Sequence, residues 1–208
     1  MSRTTLRRVV SVAAATTLLA GGLFATATTA SAQSSILGDF GSSASVPDIP
    51  ASATVKVDNL SITKSIVGVN SIAIDGEVTY RTTISASDGP DRLIKRLVDL
   101  NPIGLLYVEG SAKVTAWQDG QMVTSSVDAA ASVDVGTVVS NAAGWLVSAI
   151  GNKSVTFEVT YSVKDLNFTP GVFDSGLALE VDGMAELEWP EMGVKLNLVG
   201  SGNSIFSS

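Results

Sequence analysis

GLALEVDGMAELEW, residues 176–189, alternates apolar and polar side chains without a slip through its central Asp182-Gly183. Leu177, Leu179, Val181, Gly183, Ala185, Leu187 and Trp189 fall on one face, and Glu180, Asp182, Glu186 and Glu188 on the other. Asp-Gly is a favoured two-residue hairpin turn. A turn of that kind sets Val181 opposite Met184, Leu179 opposite Glu186 and Leu177 opposite Glu188. Directly opposed residues share a face, so apolar and acidic side chains would be mixed on both sides. One continuous strand keeps them apart, and a straight strand is the expectation.

The same signature recurs twice upstream. In SIAIDGEVTYRTTI (71–84) and LLYVEGSAKVTAW (105–117), an aliphatic residue and an acid precede a glycine, as Ile74-Asp75-Gly76 and Val108-Glu109-Gly110. Both are expected as continuous strands with the glycine on the apolar face. Glycine inside a strand marks a bend, a bulge or the close approach of another group. Three such bends let a long sheet curl around its core. Asp119-Gly120 behaves differently: folding there sets Ala116 against Val123 and Val114 against Ser125, which predicts a type I′ hairpin. A further hairpin is expected at Trp189–Val194, setting Leu187 against Leu196 and Ala185 against Leu198.

Strands are also expected over 55–63 and 155–165, the latter alternating through Val155, Phe157, Val159, Tyr161 and Val163. Two segments read as amphipathic helices. Ser87-Asp88-Gly89-Pro90 is a helix-start signal, followed by a stripe of Leu93, Ile94, Leu97 and Val98, with Asn101-Pro102 as the stop. The second runs from about Gly136 to Ile150, with Val138, Val139, Ala142, Trp145 and Leu146 on its stripe and Gly151-Asn152 at its end. The expected fold class is therefore α+β and mainly antiparallel: one long-stranded curved sheet of about 7–8 strands packed on two amphipathic helices. A closed barrel or a sandwich is the alternative. In architecture alone, that arrangement resembles envelope lipid carriers of the periplasmic lipoprotein-carrier type.

The ends define where the chain goes. Residues 1–32 read as a signal peptide, with Arg3, Arg7 and Arg8 before an apolar run and Ala30-Ser31-Ala32 as a small-x-small cleavage site. Residues 33–52 are a Ser/Gly/Pro-rich linker, 53–199 a single β-rich domain, and 200–208 a loose tail. Sec-type export to the medium or the cell envelope is expected, with no transmembrane helix after cleavage. Of 13 Lys plus Arg, three lie in the leader, against 20 Asp plus Glu, so the exported chain carries a formal charge of −10. That excludes a nucleic-acid partner, whose phosphates need a cationic surface.

Histidine and cysteine are absent from the chain. Ser-His-Asp and Cys-His catalysis, His/Cys zinc sites and iron–sulfur clusters are thereby excluded, and neither a cofactor nor a metal site is expected. Ser61-Ile-Thr-Lys64 matches Ser-x-x-Lys, but in a strand and without the Ser-Asp-Asn and Lys-Thr-Gly elements that accompany it in penicillin-binding enzymes. Gly151-Asn-Lys-Ser154 lacks the glycine that precedes the lysine of a phosphate-binding loop. Glu180, Asp182, Glu186 and Glu188 read as a solvated acidic face. Small residues on the apolar faces (Gly76, Gly110, Ala112, Ala129, Ala131, Gly183 and Ala185) are the candidate ligand-binding positions. The leading expectation is a non-catalytic exported protein holding a hydrophobic, lipid-like molecule between sheet and helices. The alternatives are a structural or interaction protein of the cell surface, with a protein partner and no small ligand, and an envelope pore subunit.

Overall fold

The computed structural model describes residues 49–200, except 103, 133–135 and 164–169. The signal peptide, most of the linker and the tail beyond Gly200 lie outside the described residues. Thirteen strands follow one another among the described residues: β1 Ser52–Val57, β2 Leu60–Val67, β3 Ser71–Ala73, β4 Glu77–Ala86, β5 Arg92–Leu100, β6 Leu105–Tyr107, β7 Lys113–Gln118, β8 Gln121–Ser126, β9 Ala130–Ser132, β10 Gly136–Val147, β11 Val155–Val163, β12 Gly171–Val181 and β13 Leu187–Val199. They form two sheets. The first runs β1-β2-β4-β11-β7-β8, with β6 also paired to β11, and the second runs β3-β13-β12-β5-β10-β9. Every pairing is antiparallel except β3 with β13. The two sheets share one core, to which β2, β4 and β11 contribute from the first and β5, β10, β12 and β13 from the second.

There is no helix among the described residues, so the expected sheet on two helices is wrong. Both helix stripes are strands whose alternation is broken by a bulge. In β5 the pairing with β12 slips between Arg96↔Glu180 and Ile94↔Val181. The extra residue changes the phase, so the inward side chains are Ile94, Leu97 and Asp99. A spacing of three next to one of two imitates helical periodicity. In β10 the register jumps from Ser140↔Arg96 to Trp145↔Ile94, and residues 141–144 loop out. Lys95 donates to the carbonyls of Ala142 (2.9 Å) and Ala143 (3.2 Å) there and holds the loop on the sheet. Val139, Trp145 and Val147 remain inward.

The Asp182-Gly183 stretch is corrected as well. It is a hairpin, with Leu179 opposite Leu187 and Leu177 opposite Trp189. Its loop is centred on Gly183 (φ +75°), not between Asp182 and Gly183. An odd-numbered loop pairs odd positions with odd positions, so the apolar face survives the turn. Only the even two-residue loop mixes the faces. The two upstream motifs are breaks of other kinds. At Ile74-Asp75-Gly76 the chain leaves β3 in the second sheet and enters β4 in the first. Around Val108-Glu109-Gly110 it loops out between β6 and β7, which both lie along β11. The expected 189–194 hairpin is absent: β13 runs through, with an irregularity opposite Gly176. The expected 55–63 strand is the β1–β2 hairpin, turning at Asp58-Asn59. The Asp119-Gly120 hairpin is as expected, with both φ angles positive (48° and 88°) and Ala116 opposite Val123.

The outer face of the first sheet carries a row of threonines. Thr54, Thr63, Thr83, Thr156, Thr115 and Thr124 pair in succession from β1 to β8. Their hydroxyls meet at 2.8 Å (Thr54–Thr63), 3.4 Å (Thr83–Thr156) and 2.7 Å (Thr115–Thr124).

Candidate functional site

The inward face of β2 is Leu60, Ile62, Lys64 and Ile66, so strict alternation delivers a lysine into the core. From the facing sheet, the phase change in β5 turns Asp99 inward. The two meet with Lys64 Nζ 2.9 Å from Asp99 Oδ2, their side chains 0% and 1% exposed. Nζ also donates to the Gly176 carbonyl at 2.5 Å, where the pairing of β12 with β13 is irregular. It lies 4.8 Å from the centre of the Tyr80 ring. Tyr161 on β11 donates from its hydroxyl to Asp99 Oδ1 at 3.1 Å, and its ring meets that of Tyr80 edge-on at 6.0 Å.

Further polar atoms are buried in the interior. Tyr80 Oη and Ser175 Oγ, Thr82 Oγ1 and Thr137 Oγ1 lack a well-aligned hydrogen bond to protein. Asp99 Oδ2 lacks one too, although Nζ touches it. Thr82 is paired across the strands with Lys64, and Thr137 with Asp99. Burial pushes the pKa of Lys64 below 10.5, against the opposing pull of Asp99. Burial, reinforced by the Asp99 carboxylate, pushes the hydroxyls of Tyr80 and Tyr161 well above the usual phenol range. All three groups are driven toward their uncharged forms, because a charge loses its hydration here.

Tyr161 and Thr137 also line an open cleft of about 640 Å³, together with Asn101, Leu105, Tyr107, Glu109, Ala129 and Ala131. One layer of buried side chains, Tyr161 and Thr137, separates the buried pair from that cleft. The candidate ligand-binding residues do not converge. Ala129 and Ala131 line this cleft, while Ala112 is fully buried in the core. Gly76 lies at the crossover between sheets, and Gly110, Gly183 and Ala185 are exposed in turns. The helices that were to close a pocket over them are absent, and with them goes the lipid-carrier analogy. Trp145 is in the core as expected, and Trp117 stacks under Lys153 at 5.3 Å. Of the acidic face, Glu186 pairs with Arg96 at 3.1 Å on the surface.

Lys64, Asp99, Tyr80 and Tyr161 were not candidates from sequence. For Lys64 a signal existed: it continues the Leu60, Ile62 alternation to Ile66 with a cation at an inward position. For Asp99 none did, because its orientation depends on the bulge in β5.

No family model and no curated protein matches the sequence. Among solved structures, the chain is similar to the pilus backbone RrgB of Streptococcus pneumoniae, at 16% identity and a TM-score of 0.35, over 52% of this chain and 42% of that one. The collagen-binding domain of a Staphylococcus aureus adhesin matches at 9% identity and a TM-score of 0.33, over 64% and 92%. AvmM, which catalyses macrocyclization in alchivemycin A biosynthesis, matches at 12% identity and 0.32, over 70% and 92%. Likenesses this distant join adhesion proteins and an enzyme alike, and no conclusion about function follows from them.

Proposed function

We propose that the chain is an exported, non-catalytic structural or interaction module of the cell surface, with no small molecule in its interior. One observation carries this. Away from the open cleft lined by Ala129 and Ala131, the space between the sheets, where a lipid would have to lie, is filled by the protein's own side chains. Leu60, Ile62, Ile84, Leu97, Leu177 and Leu196 are each at most 1% exposed there. Interiors packed in this way have no room for a guest without displacing side chains. The absence of histidine and cysteine supports a non-catalytic role, and the leader-like first 32 residues support export. The acidic surface supports a protein partner of opposite charge rather than an anionic polymer.

Native mass spectrometry with solvent extraction, on the mature protein from its own host, tests the reading. A mass with no apolar adduct is expected, together with loss of the protein from intact cells on mild external protease treatment. A stoichiometric apolar adduct released on denaturation would overturn it in favour of a carrier.

A further inference from the structure

We propose that Lys64 and Asp99 condense to an intramolecular amide that joins β2 of one sheet to β5 of the other. The geometry is that of a reaction site as much as of an ion pair. A primary amine and a carboxyl group, from strands far apart in the pairing order, touch at 2.9 Å with their side chains essentially inaccessible to solvent. The contact is poorly aligned as a hydrogen bond, yet the carbon to be attacked is one bond beyond the oxygen it touches. Enclosure holds the two groups together and keeps out the water that would reverse the reaction, so the entropy of encounter is already spent.

Each neighbour has a role in the step. Burial disfavours the charged amine; in the proposed step it hands one proton to the carboxylate it touches, which leaves a lone pair on Nζ. Nζ attacks Cγ of Asp99. The Tyr161 hydroxyl, 3.1 Å from Oδ1, donates to the oxygen on which charge develops. The Gly176 carbonyl, 2.5 Å from Nζ, takes the hydrogen bond of an N–H that acidifies as the C–N bond forms. The bond from Cγ to Oδ2 then breaks. The ammonium has given up two protons and the carboxylate one oxygen, and these leave together as a single water. Neither oxidant nor activated donor is required. The water formed leaves past Thr137 and Tyr161, the buried residues that close this centre off from the open cleft. Tyr161 is a positioning residue for the carboxyl group, and Lys64 and Asp99 are the reacting residues.

The test is the intact mass of the full exported chain, followed by tryptic peptide mapping. The folded protein is expected to be lighter by one water than its sequence. A branched peptide is expected that joins residues 57–81, uncut at Lys64, to residues 97–113. Asp99→Ala and Lys64→Met should each restore the unmodified mass. Full mass in the wild-type protein, with Lys64 and Asp99 in ordinary linear peptides after prolonged incubation of the folded chain, would overturn the proposal whether or not the variants fold. A lost water that maps to succinimide at an Asp-Gly step such as Asp119-Gly120, with linear 57–64 and 97–113 peptides, would overturn it equally.

Discussion

Thr63 and Lys64 are neighbours in β2, yet they belong to opposite ways of using polar groups in one sheet. Outside, six threonines form a row from β1 to β8, each paired with its neighbour across the strands and wetted by solvent. Inside, Lys64 meets Asp99, Tyr80 and Tyr161 with no access to water. The outer row can lose any member and let water replace the hydroxyl. The inner cluster has no substitute for a missing partner, so its members are worth most where their neighbours are charged. What separates the two is the cost of a group left behind, not the number of hydrogen bonds.

The largest effect should come from stranding the amine. Relative to the protein in which the pair has not condensed, Asp99→Ala leaves a buried, unpaired Lys64 and is expected to destabilise by about 3–5 kcal/mol in denaturant unfolding. Replacing both groups by apolar ones of similar size, as Lys64→Met with Asp99→Leu, should recover most of that loss. A double variant no better than Asp99→Ala would show that shape rather than charge sets the site's cost.

Alkaline pH separates the regions next. Tyr80 and Tyr161 stay protonated in the folded state well above the ordinary value of 10.0, whereas the unfolded chain ionises there. Their contribution to stability is complete below pH 10 and is lost as pH rises beyond it. Each adds a fall of about 1.4 kcal/mol per pH unit. Where Lys64 has not condensed, its lowered pKa acts in the opposite sense only up to 10.5. Between pH 10.5 and 12, Tyr161→Phe should therefore show a shallower decline than wild type, although it starts less stable. Equal slopes would mean that Tyr161 is not held protonated.

On the outer face, Thr83→Ala is expected to cost only about 0.2–1 kcal/mol. Smallest of all is Glu158→Gln, which removes the Arg81–Glu158 ion pair at 2.5 Å, with side chains 46% and 32% exposed. The change should be at most about 1 kcal/mol at low salt and vanish at high salt. A loss at Thr83 as large as that at Asp99 would break the contrast between the faces.

Alternation was legible wherever the strands are regular. β4 and β11 could be read directly, because Val78, Tyr80 and Ile84, like Phe157, Val159 and Tyr161, keep a period of two. The Asp119-Gly120 turn was legible because its loop has the commonest length. What was misread lies at irregularities that change the phase or at breaks that keep it. One extra residue in β5 and a four-residue excursion in β10 produced helical spacing, and an odd-numbered loop at Gly183 imitated an unbroken strand. A change of phase is a decision of tertiary pairing, so a single sequence carries no local mark of it. The buried centre inherited the same obscurity: Asp99 points inward only because β5 is bulged.

The first described residues of the domain are wedged at one end of this assembly. Asn70 Nδ2 donates to Ile49 O at 2.6 Å, and the Lys195 amide donates to Pro50 O at 2.7 Å. β1, at the edge of its sheet, pairs with β2 alone, beginning at Ser52↔Ser65. Tension applied at residue 49 would therefore open β1 pair by pair, like a zip, as far as the Asp58-Asn59 turn. It would then begin to strip β2 from Leu60. Four residues beyond Leu60 the peel reaches Lys64, whose side chain is held by the sheet behind it. The force that opened each earlier pair singly must there separate two sheets at once, and the domain has a mechanical stop near its leading edge.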